Sequence, residues 1–215
     1  MGYIYICFLK MKNSTSFIYF ISLYVPGLLI GLLILFFSDK FLLHESLNTY
    51  HTSILDIFYY YLTFLGHGVF IVLMSVFFFI KNKKQGILIF CSFLFSALIT
   101  QGLKHLVFDD VMRPYYYISS GLINVPLVEN IELHMHNSFP SGHTTSIFSF
   151  CSMISLFYNR KLFGVCLFIL ASLTAYSRIY LSQHFMTDVL FGSFIGVLSS
   201  YLLFYINYHF SKPIL

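Results

Sequence analysis

The sequence predicts an all-α integral membrane protein, a single domain built as a bundle of six transmembrane helices. The first observation behind this prediction is composition: 58% of the 215 residues are hydrophobic and only 9% are charged, unlike ordinary soluble domains. The second is a series of apolar runs. Several of them have a length close to that of a helix that crosses a bilayer, which is about 20 residues. Backbone N–H and C=O groups within lipid must be hydrogen-bonded inside the protein, which only helices and closed barrels achieve. These runs lack the alternating pattern of a membrane β-barrel, so they are predicted to be helices.

The predicted helices lie near residues 17–37, 56–80, 86–103, 143–158, 162–180 and 187–208. The first is too long for a signal peptide, and no small-residue cleavage site follows it, so it is predicted to be retained. The four cysteines lie in apolar stretches without paired spacing, which predicts small buried hydrophobes and neither a disulfide nor a metal site. They are Cys7, Cys91, Cys151 and Cys166.

The distribution of charge predicts the orientation of the bundle, because lysine and arginine accumulate in short cytoplasmic loops. One side of the bundle carries only basic residues: Lys10, Lys12, Lys81, Lys83, Lys84, Arg160, Lys161 and Lys212. The other side carries every acidic residue together with Lys40, Lys104, Arg113 and Arg178. Both termini are therefore predicted to be cytoplasmic. The net charge of +4 reflects this loop bias, so no nucleic acid partner is predicted.

Two segments on the predicted outer side are long enough to have structure or function of their own. Residues 38–56 are expected to hold a short interfacial helix. Residues 104–142 are too long for a plain connector, and such segments are often lids or binding loops. This second segment is therefore a candidate cover over a binding site.

The stretch "PSGH", residues 140–143, has the features of an anion-binding helix start. A helix that begins at Pro140 or Ser141 presents unpaired backbone N–H groups and the positive end of its dipole. Proline is favoured at the first position of a helix, Ser141 offers a hydroxyl, and Gly142 lets an anion approach the backbone. Three cations fall on the same predicted side, namely Lys104, Arg113 and Arg178, and with them the anion is expected to be phosphate.

The stretch "SRIYLSQHFMTD", residues 177–188, adds a candidate nucleophile. If the last helix begins near His184, then His184 and Asp188 are four residues apart on one helix face. Asp188 would then accept a proton from one ring nitrogen and leave the other free to attack. This is the pattern of a nucleophile with an orienting partner.

These motifs resemble the type 2 phosphatidic acid phosphatase superfamily of membrane-bound lipid phosphate phosphatases. That family combines a lysine followed by Arg-Pro, a Pro-Ser-Gly-His, and a Ser-Arg with histidine and aspartate downstream. Here "PSGH" and "SRIYLSQHFMTD" match, and Arg113-Pro114 fits. The interval between Lys104 and Arg113 departs from the pattern, because it is longer than the family commonly has. The motifs that carry the resemblance lie between residues 104 and 188.

The resemblance implies a metal-independent lipid phosphatase that works without a cofactor. His184 would attack phosphorus to form a phosphohistidine, and Asp188 would hold its ring. His143 would protonate the leaving oxygen and then activate water. The phosphoryl oxygens would be held by Lys104, Arg113, Ser141, Gly142 and Arg178. The partners expected are a phosphorylated membrane lipid and the bilayer of a bacterial inner membrane, with the active site on the extracytoplasmic side.

Several alternatives remain open from the sequence. His134 and His136 have a spacing that permits a metal site with His143, but no acidic or cysteine ligand completes it, so no metal is predicted. A lipid-phosphate binder or transporter would use the same anion site without cleavage. A vanadate-dependent peroxidase of the same superfamily is disfavoured by the membrane-embedded composition. The substrate is left among phosphatidic acid, phosphatidylglycerol phosphate, undecaprenyl pyrophosphate and lipid A phosphates, and the oligomeric state is also open.

Overall fold

The computed structural model describes residues 14–129 and 131–210, which form nine α-helices and one 3-10 turn. In chain order they are α1 Thr15–Phe37, α2 Lys40–Leu47, α3 Ser53–Leu62, the 3-10 turn Thr63–Gly66, α4 Gly68–Lys81, α5 Lys83–Leu106, α6 Pro114–Ser119, α7 Gly142–Ser155, α8 Lys161–Tyr180 and α9 Met186–Phe210. The predicted all-α class is confirmed for this part of the chain. The inferences drawn on Cys7, Lys10, Lys12 and Lys212 fall outside the described residues.

Within the part of the chain that the structure describes, four helices are long and apolar enough to cross a membrane: α1, α5, α8 and α9. A fifth span arises if α3, the 3-10 turn and α4 are counted as one segment. Helix α7 has 14 residues, which is short of the about 20 needed to cross the hydrocarbon core. The prediction of an integral membrane protein is therefore supported, while a count of six spans stays a prediction.

The predicted single helix over residues 56–80 is wrong, because the segment bends by 58° between α3 and α4. At the break, His67 is extended, with φ −71° and ψ 137°, and its Nδ1 accepts a hydrogen bond from the N–H of Val69 at 3.3 Å. The neighbouring Gly66 packs against α7 so closely that a Cβ there would lie 2.8 Å from the carbonyl oxygen of His143. The bend thus brings the 3-10 turn against the first turn of α7.

Helix α7 is the centre of the bundle, and all its residues from Thr144 to Ser155 are buried. It packs against α5, α8 and α9. Glycine allows the tightest of these contacts, since a Cβ on Gly192 of α9 would lie 2.6 Å from the carbonyl oxygen of Ser141. Hydroxyl pairs also cross between helices, as where the Oγ atoms of Ser92 and Ser149 lie 2.7 Å apart. Small and hydroxylated residues are the usual contacts between helices in membranes.

The outward faces of the helices are as apolar as the core, which is why the cysteine prediction was only partly right. Cys151 is buried, but Cys91 and Cys166 are exposed on the outside of the bundle. In a membrane protein an apolar stretch does not reveal which of its faces turns inward, because lipid accepts the outer face. No disulfide joins these three described cysteines.

The helix directions place two sets of termini at opposite ends of the bundle. At one end, Ser14 Oγ donates to the carbonyl of Ser155 at 2.7 Å, and Ser16 Oγ donates to the carbonyl of Arg160 at 2.7 Å. The start of α1, the end of α7 and the start of α8 therefore meet there. The ends of α5 and α8 and the starts of α7 and α9 meet at the opposite end, where the candidate site lies. The short helix predicted within residues 38–56 is confirmed as α2, capped by Asp39.

Candidate active site

The loop that carries His184 is folded back onto the end of α8. The backbone N–H groups of Gln183 and His184 both donate to the carbonyl of Arg178, at 3.0 and 3.1 Å. Helix α9 begins at Met186, so His184 precedes the helix, and the prediction that it shares a helix face with Asp188 is wrong. The turn nevertheless brings the two side chains together, with His184 Nδ1 3.5 Å from Asp188 Oδ2.

Asp188 is fixed by two other donors. Its Oδ2 accepts from Ser138 Oγ at 2.5 Å and from the N–H of Phe185 at 3.0 Å. The 3.5 Å between His184 Nδ1 and Asp188 Oδ2 is longer than an ordinary hydrogen bond. Both side chains are almost completely buried, at 2% exposure each. The carbonyl of Asp188 also accepts from the N–H of Ser141 at 3.0 Å, which ties the start of α9 to the Pro-Ser-Gly-His segment.

The Pro-Ser-Gly-His segment starts α7 slightly later than predicted. The helix begins at Gly142, Ser141 is its N-cap, and Pro140 precedes it. The Ser141 hydroxyl accepts from the Oγ1 of Thr144 at 3.0 Å, and Ser141 itself is fully buried. The first N–H groups of a helix have no partner within it, so this end keeps the anion-binding character that the sequence indicates.

Three cations surround the same end of the bundle. Lys104 lies in the last turn of α5 and Arg178 in the last turn of α8, and each is only 7% exposed. Arg178 Nη1 donates to Thr63 Oγ1 at 2.7 Å. Arg113 precedes α6, and its Nη1 donates to Gln183 Oε1 at 3.0 Å. The longer interval between Lys104 and Arg113 therefore does not prevent both from reaching one site.

A single cleft of about 560 Å³ receives most of the predicted site residues. It is lined by Lys104, Arg113, Gly142, His143, Arg178 and His184. The two remaining predicted residues, Ser141 and Asp188, are buried behind this lining. Ile131, Glu132 and His134 of the long outer segment also line the cleft, while the role of this segment as a cover stays a prediction.

The cleft keeps the imidazole of His184 neutral. Burial, together with the nearby charges of Arg113, Arg178 and Lys104, holds the pKa of His184 well below its usual range. A neutral imidazole has a free electron pair on one nitrogen, and that form is the one able to attack an electrophile. The cations that would bind a phosphate therefore also favour the nucleophilic form of the histidine.

His134, His136 and His143, which were considered for a metal site, do not form one cluster within the described residues. Within residues 14–129 and 131–210, no three histidine, cysteine, aspartate or glutamate side chains are close enough together to hold a metal ion. His134 lines the cleft, and its Nδ1 lies 4.0 Å from Glu132 Oε1. The backbone carbonyl of His136 instead accepts from Arg113 Nε at 2.8 Å.

A family model of the PAP2 superfamily matches residues 85–212, more than half of the chain. The chain belongs to the PAP2 superfamily. The matched region begins in α5 and includes every predicted site residue. The membership confirms the resemblance that the motifs indicated and assigns the chain to a family of membrane phosphatases.

Individual PAP2 relatives agree with this assignment. The chain is 25% identical to the lipid A 4'-phosphatase of Porphyromonas gingivalis over 166 residues. This matched region covers 74% of the chain and 69% of that protein. It is 30% identical over 116 residues to the undecaprenyl-diphosphatase BcrC of Bacillus subtilis, covering 49% of the chain and 59% of that protein. The crystal structure of a transmembrane PAP2 type phosphatidylglycerolphosphate phosphatase from Bacillus subtilis shares the fold, with a TM-score of 0.64 at 22% identity, over 91% of the chain and 98% of that structure.

The candidate site contains supporting residues that the sequence did not reveal. Ser138 binds Asp188, Thr63 binds Arg178, and Gln183 binds Arg113. His67 also lies nearby, with its ring centroid 5.6 Å from that of His143. The first three are neutral and polar, and such residues are common throughout membrane helices. Only the position of Gln183, directly before His184, offered a signal in the sequence.

Proposed function

We propose that the protein hydrolyses a phosphate ester or anhydride on the headgroup of a membrane lipid, through a phosphohistidine on His184. The observation that carries this proposal is the shared cleft, in which His143 and His184 face the same space as three cations. Membership of the PAP2 superfamily supports the coarser statement that the chain is a membrane lipid phosphatase. The whole chain is proposed to act as one membrane-embedded phosphatase domain.

The phosphoryl group is proposed to bind between the start of α7 and the three cations. The guanidinium groups of Arg113 and Arg178 offer paired N–H donors that match phosphate oxygens. Arg178 Nε is buried and has no partner among the described residues, so it retains a donor for a ligand. The N–H of Gly142 and the ammonium of Lys104 complete the set. Such donors stabilise the charge on the equatorial oxygens in the transition state.

The attack is proposed to come from the neutral ring of His184. The electron pair on one ring nitrogen forms the bond to phosphorus, and the bond from phosphorus to the lipid oxygen breaks. Asp188, held by Ser138 and the Phe185 N–H, stabilises the positive charge that the ring acquires. For this role, His184 Nδ1 must move slightly closer to Asp188 Oδ2 than the present 3.5 Å, so that the two atoms form a hydrogen bond.

His143 is proposed as the general acid and then the general base. It lies on the first turn of α7 and lines the same cleft as His184. Burial and the nearby charge of Arg178 hold the pKa of His143 far below its usual range. The negative charge of a bound phosphate favours protonation of the ring, and in the first step the protonated ring gives its proton to the leaving lipid oxygen. In the second step it takes a proton from a water molecule, whose oxygen attacks phosphorus and releases inorganic phosphate and free His184.

Phosphate release is expected to be independent of metal ions, because side-chain cations occupy the role that magnesium has in many phosphoryl transfer enzymes. Purified protein should release inorganic phosphate from a lipid phosphate equally well before and after treatment with a strong chelator. Loss of activity with the chelator, restored by a divalent cation, would refute this part of the proposal. Running the same assay on phosphatidic acid, phosphatidylglycerol phosphate, undecaprenyl pyrophosphate and lipid A phosphates identifies the preferred substrate.

A lipid-phosphate binder or transporter is the alternative function that uses the same cations. It is disfavoured because binding alone does not require a buried histidine beside a buried carboxylate. A binder would retain the lipid phosphate intact, whereas the proposed enzyme consumes it. The chelator experiment therefore also separates these two functions, since it measures product rather than binding.

The cleft is proposed to open on the extracytoplasmic side of a bacterial inner membrane. The support is the charge pattern, because Lys81, Lys83, Arg160 and Lys161 lie at helix ends opposite the cleft. In whole cells a membrane-impermeant maleimide is expected to label Asp110→Cys but not Lys83→Cys, relative to the unsubstituted protein. The reverse labelling pattern would place the cleft in the cytoplasm and overturn the proposed orientation.

A further inference from the structure

We propose that a second pocket beside the catalytic cleft is a headgroup subsite in which Asp56 binds hydroxyl or amine groups of a sugar-like headgroup. This inference rests on the proposed function and adds the class of substrate to it. The preferred substrate is then a lipid whose phosphate is carried by a ring bearing free hydroxyl or amine groups. A lipid phosphate whose headgroup lacks such groups is a poorer substrate.

The second pocket has a volume of about 600 Å³ and shares Tyr60 with the catalytic cleft. Its polar lining consists of Ser53, Asp56, Tyr60, Tyr61 and Glu129. This lining carries two carboxylates and no cation, whereas the neighbouring cleft is lined by three cations. The two pockets therefore suit different parts of one ligand: an anionic phosphate in the cleft and a donor-rich, uncharged or cationic group beside it.

Among the described residues, the groups that hold Asp56 in place contact its Oδ1 and leave its Oδ2 without a partner. Its Oδ1 accepts from the hydroxyl of Tyr180 at 2.5 Å and lies 3.1 Å from Nδ1 of His51. The ring of His51 stacks on that of Tyr180, with centroids 4.1 Å apart. The Asp56 side chain remains 30% exposed and lines the pocket. A carboxylate fixed through one oxygen can offer the other to a ligand without further ordering, which is the preorganisation that favours binding.

The distance from Asp56 to the phosphate site matches a ring-sized group. Asp56, Tyr60 and Thr63 are spaced four and three residues apart, so they follow one face of α3 into the 3-10 turn. Thr63 accepts the hydrogen bond from Arg178 in the cleft. At a rise of 1.5 Å per residue, the seven residues from Asp56 to Thr63 span roughly 10 Å. A hexose ring that carries a phosphate is of comparable length.

The chemistry of the pocket selects among the groups that could fill this distance. Carboxylates accept hydrogen bonds from hydroxyl and amine groups, and hydrogen bonds to charged groups are stronger than those between neutral groups. The phenol rings of Tyr60 and Tyr61 add apolar faces with a polar tip, which suits a ring that has C–H faces and hydroxyl edges. A second anionic group in this position would be repelled by Asp56 and Glu129.

The test compares two phosphomonoesters with the purified full chain. One is a lipid whose phosphate is carried by an acylated glucosamine ring, and the other is phosphatidic acid, whose headgroup has no free hydroxyl or amine. The ratio of their kcat/KM values is measured for the unsubstituted protein, Asp56→Asn and Glu129→Gln. We expect Asp56→Asn to lower this ratio by about ten-fold, since one charge-assisted hydrogen bond is lost. The exposed Glu129→Gln variant, which leaves the contacts of Tyr180 intact, should lower it less but in the same direction.

Two controls separate the possible failures. Asp110→Asn removes an exposed carboxylate that lines neither pocket and should leave the ratio unchanged. The subsite is overturned if Asp56→Asn lowers kcat/KM equally for both substrates and Glu129→Gln leaves the ratio unchanged. That result would mean that Asp56 only supports the fold. Absence of phosphate release from either lipid by the unsubstituted protein would instead overturn the proposed function itself.

Discussion

Replacing His184 with alanine is expected to reduce phosphate release from a lipid phosphate by about 10⁴-fold or more. The reason is that the substitution removes the proposed nucleophile, and losses of this size accompany removal of a covalent nucleophile in other enzymes. The remaining cations would still bind the substrate, so KM should change much less than kcat. The measurement is inorganic phosphate released per enzyme in detergent or in vesicles, under conditions of excess substrate.

His105→Ala provides the matched control for this experiment. His105 is exposed in the last turn of α5, directly after Lys104, and does not line the catalytic cleft. It should keep phosphate release within about two-fold of the unsubstituted protein, in line with exposed substitutions elsewhere. Both variants should show the same helical content and detergent elution profile. Phosphate release by a folded His184→Ala variant at an undiminished rate contradicts the proposed mechanism.

Replacing His143 with asparagine is expected to lower turnover by about 10²- to 10⁴-fold, the usual contribution of general acid and base catalysis. The defect should depend on the leaving group. A lipid diphosphate or an aryl phosphate needs little help from an acid, so the first step should survive and the second step should become limiting. Rapid-quench kinetics should then show a burst of released leaving group, up to one equivalent per enzyme, followed by slow turnover.

The His143→Asn variant also distinguishes a chemical role from a structural one. The backbone of His143 contacts Gly66, and asparagine retains that backbone contact while removing the ring. A structural defect would lower the burst and the slow phase together, and would not depend on the leaving group. Steady turnover close to that of the unsubstituted protein would remove His143 from the mechanism.

The helices themselves could be predicted closely where a long apolar run determines them. The predicted helix over 162–180 is observed as Lys161–Tyr180, and that over 187–208 as Met186–Phe210. The bend near His67 could not be predicted, because glycines are tolerated within membrane helices. What decides the bend is a tertiary contact: Gly66 lies against the backbone of His143, far along the chain.

The charged and histidine residues of the site could be predicted for a different reason. Lys104, Arg178 and Asp188 are costly within an apolar environment, so their presence near helix ends indicates a function. Their neutral partners gave no such indication, because serine, threonine and glutamine occur throughout a bundle as contacts between helices. The supporting contacts of Ser138 and Thr63 became visible only when the fold brought distant segments together. The turn that brings His184 to Asp188 was likewise beyond the sequence, since it is set by backbone hydrogen bonds to the carbonyl of Arg178.

The proposed mechanism requires a covalent bond between the ring of His184 and phosphorus, and this bond can be trapped. The His143→Asn variant is mixed with a lipid diphosphate labelled in its terminal phosphate, quenched in base to preserve phosphohistidine, and digested for peptide mapping. The expected result is one labelled phosphoryl group on the peptide that contains His184, and none in the His143→Asn, His184→Ala double variant. Label on any other residue, or product formed in a single turnover without a covalent species, would contradict the mechanism.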